Sequence, residues 1–305
     1  MRMAFTRMLA RLLGRPSAFL QAKPGSTVWY FRRDRIAVIS LAFILFMVGL
    51  AVTAPWIAPY ANEGRGEPNI LKKLLPPSSE HIFGTGPLGR DICSRVIYGA
   101  RTGLVAAFSI VGATIIIGTI LGVLAGYFGG WVDELIMRIT DIFLAFPPLL
   151  LAMMVAAVLD PSLGNAILAI TLTWWPWYTR LARAQALSVR ERDYIKAARG
   201  IGVNEVTILG RHIVPNIITP ILVQGTLDLG SAILTVAALS FLGLGVPLPT
   251  ADWGAMISEG RIYIQNGRWW VATFPGLALF LSIMAFNFLG DGIQVSTNPR
   301  ARGGT

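Results

Sequence analysis

The chain has 305 residues, 54% of them hydrophobic and only 14% charged, with one cysteine, two histidines and a formal net charge of +10. Globular domains carry about 25% charged residues, so the composition excludes an ordinary soluble domain and points to an all-α polytopic membrane protein. The single Cys93 excludes an intrachain disulfide or a cysteine metal cluster, and His81 and His212 leave almost no imidazole for metal binding or catalysis.

Met1–Arg35 holds eight basic residues against one Asp. Charge concentrated before the first apolar run reads as membrane topology rather than as a nucleic-acid surface. Arg2, Arg7, Arg11 and Arg15 interrupt this stretch, so it lacks the apolar core of a secretory signal. Phe5, Met8, Leu9, Leu12 and Leu13 fall between them at helical spacing, which fits a helix lying on the inner membrane surface; a basic tail without order fits as well. A bilayer core of about 30 Å needs about 20 apolar residues as a helix. On that measure Ile36–Ala58, Thr102–Phe128, Leu135–Leu159, Pro161–Arg183, Asn216–Val246 and Trp269–Asp291 are six expected spans. In the outer loop, residues 59–100, Pro68, Pro76 and Pro77 mark turns, and Ile92–Arg101 is expected to form a short helix leading into the second span. Gly118, Gly122 and Gly126 share one face of that span, as a helix that slides or simply as close membrane packing. Inner segments hold 18 Lys and Arg against 8 in the outer ones, so both termini are expected in the cytoplasm.

Two membrane acids stand out. Asp141 lies three residues from Arg138, on the same helical face, where a local ion pair or a place on a transport path both account for it. Asp228 sits near mid-membrane, where an unpaired carboxylate costs on the order of 3 kcal/mol, so it either lines a wet path or hydrogen-bonds another helix. Several activities are excluded by missing parts. No Gly-Lys pair occurs, so the chain has no phosphate-cradling loop of its own. Neither histidine lies in a span, and neither Gly-x-Ser-x-Gly nor His-Glu-x-x-His is present, which removes membrane serine and zinc proteases. No potassium filter, arginine ladder or internal repeat is visible.

Glu191–Asn216 is the longest charged passage between two expected spans, a cytoplasmic platform suited to a soluble partner. Within it stand Lys196-Ala197-Ala198, then Gly202, then His212-Ile213-Val214-Pro215. Ala197 and Ala198 are small enough to enter a cleft, Gly202 permits a sharp turn, and Pro215 suits a helix start. The spacing resembles the EAA motif of permease subunits in ATP-binding-cassette (ABC) importers, with Lys196, His212 and Val214 as departures from its Glu, Ile and Leu. Further stretches resemble the C-type permeases of the dipeptide, oligopeptide and nickel family: Phe31-Arg32-Arg33-Asp34-Arg35, Phe83–Asp91, Asp141 with Leu144-Ala145-Phe146-Pro147, and Leu239–Gly245 followed by Trp253-Gly254. Gly86 and Val236 stand where that family often carries acidic residues.

The resemblance implies a type I ABC importer permease fold with six transmembrane helices. It divides the chain into a cytoplasmic segment 1–35, a first helix 36–58, an extracytoplasmic loop 59–100, a five-helix transmembrane domain 101–291 with coupling loop 184–215, and a cytoplasmic tail 292–305. It further implies a multi-pass inner-membrane subunit, not an enzyme, that imports short peptides; nickel, glutathione, opines or oligosaccharides are the alternatives within the family. A self-contained channel or scaffold is the alternative from another class. The implied partners are a homologous B-type permease, two ABC ATPases that use ATP and Mg, a solute-binding protein and the lipid membrane, with no nucleic acid. No cofactor or metal is expected on this chain itself. Asp193, Lys196, Ala197, Ala198, Gly202 and Pro215 would couple to the ATPase, Asp141 and Asp228 would line the path, and Arg90, Asp91, Arg95 and Trp253 would meet the binding protein.

Overall fold

The computed structural model describes residues 27–297. The expectation of a surface helix around Phe5–Leu13 and the tail beyond residue 297 lie outside those residues. Twelve α-helices follow one another among the described residues: α1 Thr27–Arg33, α2 Arg35–Ile57, α3 Ala61–Arg65, α4 Ile92–Phe128, α5 Gly130–Leu144, α6 Pro148–Val158, α7 Leu163–Arg190, α8 Asp193–Gly200, α9 Glu205–Ile208, α10 Val214–Phe241, α11 Trp253–Ile264 and α12 Trp270–Thr297. Asp34 starts α2 by accepting from Ile36 N and Ala37 N at 3.0 Å each, and Asp91 starts α4 by accepting from Ser94 N at 2.7 Å.

α2, α4, α12 and the continuous run Glu205–Phe241 are each long and apolar enough to cross a membrane. α5 and α6 pass the same test as a pair bent by 86°. The expected straight span Leu135–Leu159 is thus broken at Phe146-Pro147, because proline disfavours helical backbone at the residue before it. α7 has a span's length, 28 residues, but its Thr, Trp, Asn and Arg side chains lower its hydropathy. The separate short helix expected over Ile92–Arg101 is instead the first part of α4, which runs unbroken for 37 residues.

The core is divided. One apolar cluster joins α2, α4, α10, α11 and α12 around Ile110, Ile233, Leu239 and Phe286. A second, built from Val123, Tyr127, Tyr178, Ala182, Ile195, Ile208 and Ile217, binds the ends of α4 and α7 to the platform. The most extensive helix contact is α4 against α7. There Gly118, Gly122 and Gly126 face Tyr178, Thr179, Ala182 and Arg183, and a Cβ on Gly122 would stand 2.4 Å from the Thr179 carbonyl oxygen. The glycine stripe is therefore a packing seam. The end of α12 meets the start of α2, where a Cβ on Gly292 would lie 2.3 Å from Ala37 Cβ, so these two helix ends share one face of the molecule.

Candidate functional site

The platform is built on α8. Ile195 is fully buried and anchors the helix into the second core, while Asp193, Lys196 and Ala197 are exposed and Ala198 is half-buried. The helix ends in a paired turn: Val203 N donates to Ala198 O at 3.0 Å and Gly202 N donates to Arg199 O at 3.0 Å. This arrangement needs a left-handed residue at the turn, and Gly202 supplies it with φ +77°. No neighbour lies within 4 Å of a Cβ built on Gly202, so its requirement is conformational rather than steric. Around these small residues stand apolar side chains open to solvent, Tyr194, Ile201 and Val206, the last two 81% and 74% exposed.

Three contacts tie this surface to the membrane helices. Arg199 lies 4.5 Å over the Tyr127 ring, and the Tyr127 hydroxyl donates to Glu205. Arg190 Nη1 donates to the last carbonyls of α4, Gly126 O at 3.2 Å and Tyr127 O at 3.0 Å. Pro215 sits at the second position of α10, but α10 is not an independent helix start. The π-helical turn Leu209–Ile213 joins it to α9, with Val214 N donating to Leu209 O. The wider turn accommodates the N–H that Pro215 lacks.

A second group of polar residues runs up the exposed side of α5, α7 and α10. Asp141 does not pair with Arg138, as one reading of the sequence had it. Arg180 donates to Asp141 at 2.6 Å, and Arg138 turns back to Glu134 at 3.4 Å. The packing of α5 against α7 brings Asp141 to a partner 39 residues away that sequence spacing does not reveal. One turn nearer the platform, Arg183 holds Asp133 through two nitrogens at 2.5 and 2.6 Å. Both side chains of the Arg180–Asp141 pair are half exposed. Such charges in a membrane protein face water or another protein, not lipid.

Higher on the same side, Asp228 accepts from Tyr178 Oη at 2.6 Å and from Gln224 Nε2 at 3.1 Å. It bonds α7 to α10 and also lines a cavity of about 270 Å³ with Pro148, Trp174, Trp177, Tyr178 and Ser231. Of the two readings of Asp228 left open by the sequence, the hydrogen bond between helices is seen here. Tyr178 and Gln224 were missed in the sequence; the i, i+4 spacing of Gln224 and Asp228 was a readable signal, the Tyr178 contact was not.

The outer loop differs from expectation. Arg90, Asp91, Arg95 and Trp253 are at most 3% exposed, so they are corrected from surface contacts to the loop's internal frame. Arg90 and Arg95 donate to the two oxygens of Glu259 on α11, at 3.0 and 2.9 Å. Burial and the neighbouring Arg95 push the Arg90 guanidinium below its ordinary pKa. Asp91 Oδ1 meets the buried His81 Nδ1 at 2.9 Å, its N–H donates to Glu63 at 2.8 Å, and Trp253 Nε1 donates to Val96 O at 3.0 Å. Their sequence context marked the residues but not their direction, because Glu259 lies 169 residues from Arg90.

Comparison with known proteins meets this geometry. Residues 118–303 match the family of binding-protein-dependent transport system inner membrane components, and residues 24–77 match the N-terminal transmembrane domain of oligopeptide transport permease C. A probable D,D-dipeptide transport system permease protein of Escherichia coli (strain K12) is 41% identical over 292 residues, covering 95% of this chain and 96% of the relative. A glutathione transport system permease protein of Escherichia coli O157:H7 is 43% identical over 273 residues, covering 90% and 89%. The membrane subunit in an inward-facing structure of a methionine ABC transporter superposes with a TM-score of 0.52 at 18% identity, over 67% of this chain and 96% of that one, which shows the fold. Permeases of this kind are multi-pass membrane proteins that work with other permease, ATPase and binding-protein subunits and are not themselves enzymes. With platform, polar face and framed outer loop all on one helical chain, the protein belongs to the binding-protein-dependent transport system inner membrane components, as a permease subunit of an ABC importer.

Proposed function

We propose that this subunit imports short peptides across the inner membrane, paired with a homologous B-type permease. One of the two ABC ATPases of the transporter docks on α8, and a solute-binding protein delivers the peptide to the outer face. Six crossings, with α7 as one and α5–α6 as a bent one, place both termini in the cytoplasm. The basic residues of the platform favour that side. ATP and Mg act in the ATPase subunits, and this chain carries no cofactor. The relatives named for dipeptides and glutathione support a peptide substrate.

The observation that carries this reading is the solvent-facing surface of α8. Small Ala197 and Ala198 lie beside exposed Tyr194, Ile201 and Val206, on a helix that is rooted by buried Ile195 and wired to the end of α4. An apolar surface of that kind, rimmed by charge, marks a protein interface. Asp193, Lys196, Gly202 and Pro215 shape and rim it. Asp141 and Asp228 face the passage between this subunit and its partner. The direct contact with the binding protein falls to exposed side chains of the 59–100 and 247–268 segments, held in place by the Arg90–Glu259–Arg95 frame.

Mild-detergent purification from the native membrane, with mass spectrometry of the co-purifying chains, tests this. A second permease together with ABC ATPases is the expected result. A defined homo-oligomer of this chain alone would overturn the reading in favour of a channel or scaffold.

A further inference from the structure

We infer that the Asp228 cavity holds the terminal ammonium group of the peptide during passage; the inference rests on the peptide-import reading above. Asp228 is the acidic side chain of this cavity, and its two hydrogen bonds come from neutral donors, the Tyr178 hydroxyl and the Gln224 amide. Among the described residues no Lys, Arg or His forms an ion pair with it. The other acids on this face are already matched, Asp141 by Arg180 and Asp133 by Arg183. Among the described acids of this face, Asp228 is the one without a basic partner.

The walls fit the same ligand. Trp174, Trp177 and Tyr178 present aromatic rings, and such faces attract a cation. Trp177, which lines the cavity, is 58% exposed, so the cavity is open rather than sealed. Its remaining polar wall, Thr173 and Ser231, is neutral. A carboxylate end of a peptide would meet repulsion here, whereas a primary ammonium finds one ion-pair acceptor, aromatic faces and hydroxyl acceptors. The volume, about 270 Å³, admits the first residue of a peptide rather than a whole chain. The break between α5 and α6 forms the wall opposite, since Leu144 and Pro148 flank it, so straightening or closing that bend reshapes the cavity. The ammonium would therefore be gripped and released as the bend changes.

The test uses the complete transporter, with both permeases, ATPases and binding protein, in proteoliposomes supplied with ATP and labelled alanyl-alanine. Asp228→Asn keeps the size and an oxygen acceptor for Tyr178 but removes the charge. Asp228→Glu keeps the charge but lengthens the side chain. The expected result is maximal uptake lowered about tenfold or more in Asp228→Asn, recovery to within about threefold of wild type in Asp228→Glu, and binding-protein-stimulated ATP hydrolysis retained in both. A structural hydrogen bond predicts the reverse order, with Asn tolerated and Glu not, and that order would overturn the ammonium site alone. Equal uptake in all three proteins would do the same. Wild-type transporter that hydrolyses ATP but imports no alanyl-alanine would overturn the peptide reading, and with it the ligand assigned to this cavity.

Discussion

At Gly202 the turn after α8 depends on backbone conformation, not on space, since φ is +77° and a Cβ there has open surroundings. A β-branched residue in that left-handed region costs about 1–2 kcal/mol, while Asn tolerates it better. Gly202→Val is therefore expected to weaken ATPase coupling more than Gly202→Asn, read as binding-protein-stimulated ATP hydrolysis; equal loss in both would point to surface contact instead. Glu259 neutralises two buried guanidinium groups. Glu259→Gln leaves them facing one another without an anion, a change worth about 3–5 kcal/mol for a buried pair, and less here because Glu259 is 18% exposed. A lower melting temperature of the purified complex is expected, and an unchanged one would show that the frame is not stabilising.

Asp252 gives a pH signature at the same scale. It caps α11 by accepting from Ala255 N at 2.9 Å, yet burial pushes its carboxyl above the ordinary value of 3.8. The folded state then holds the proton more tightly than the unfolded chain does. Stability falls as pH rises from about 3.8 through the raised folded pKa, and the loss is complete above it. Asp252→Asn removes that slope, so melting temperature against pH should flatten in the acid range; an unchanged slope would assign it to another group.

Among the elements, α4 and α7 share the most extensive contact. Gly122→Ala forces a methyl against the Thr179 carbonyl, whereas Gly112→Ala has nothing within 4 Å to meet. The first is expected to lower the yield of assembled complex severalfold, the second to leave it unchanged, measured by size-exclusion of the solubilised protein. If both behave alike, the seam is not the tight contact described. The elements were largely legible in the sequence because long apolar runs and charge asymmetry are local signals. The break in the third expected span was written in Phe146-Pro147, but its 86° angle was not, because local sequence marks where a helix stops and not the direction of the next one. The platform's turn was legible through Gly202 alone, whereas the π turn before Pro215 follows from joining α9 to α10 and has no local signature. Of the site, the acids were visible and their partners were not: Arg180, Tyr178 and Glu259 reach their acids or bases across 39, 50 and 169 residues.

For the whole molecule, the α4–α7 seam has a mechanical meaning. Backbone stands against backbone at Gly118, Gly122 and Gly126, with no flexible side chain between them to yield, and Arg190 clamps the end of α4. Two rods interlocked in that way resist shear, so tilting one carries the other with it. One end of the pair carries the platform, and Tyr178, twelve residues from Arg190, holds Asp228, a distance of about 18 Å at 1.5 Å rise per residue. A few degrees of tilt forced on α8 by a docked partner thus arrives at the cavity as a displacement of about an ångström.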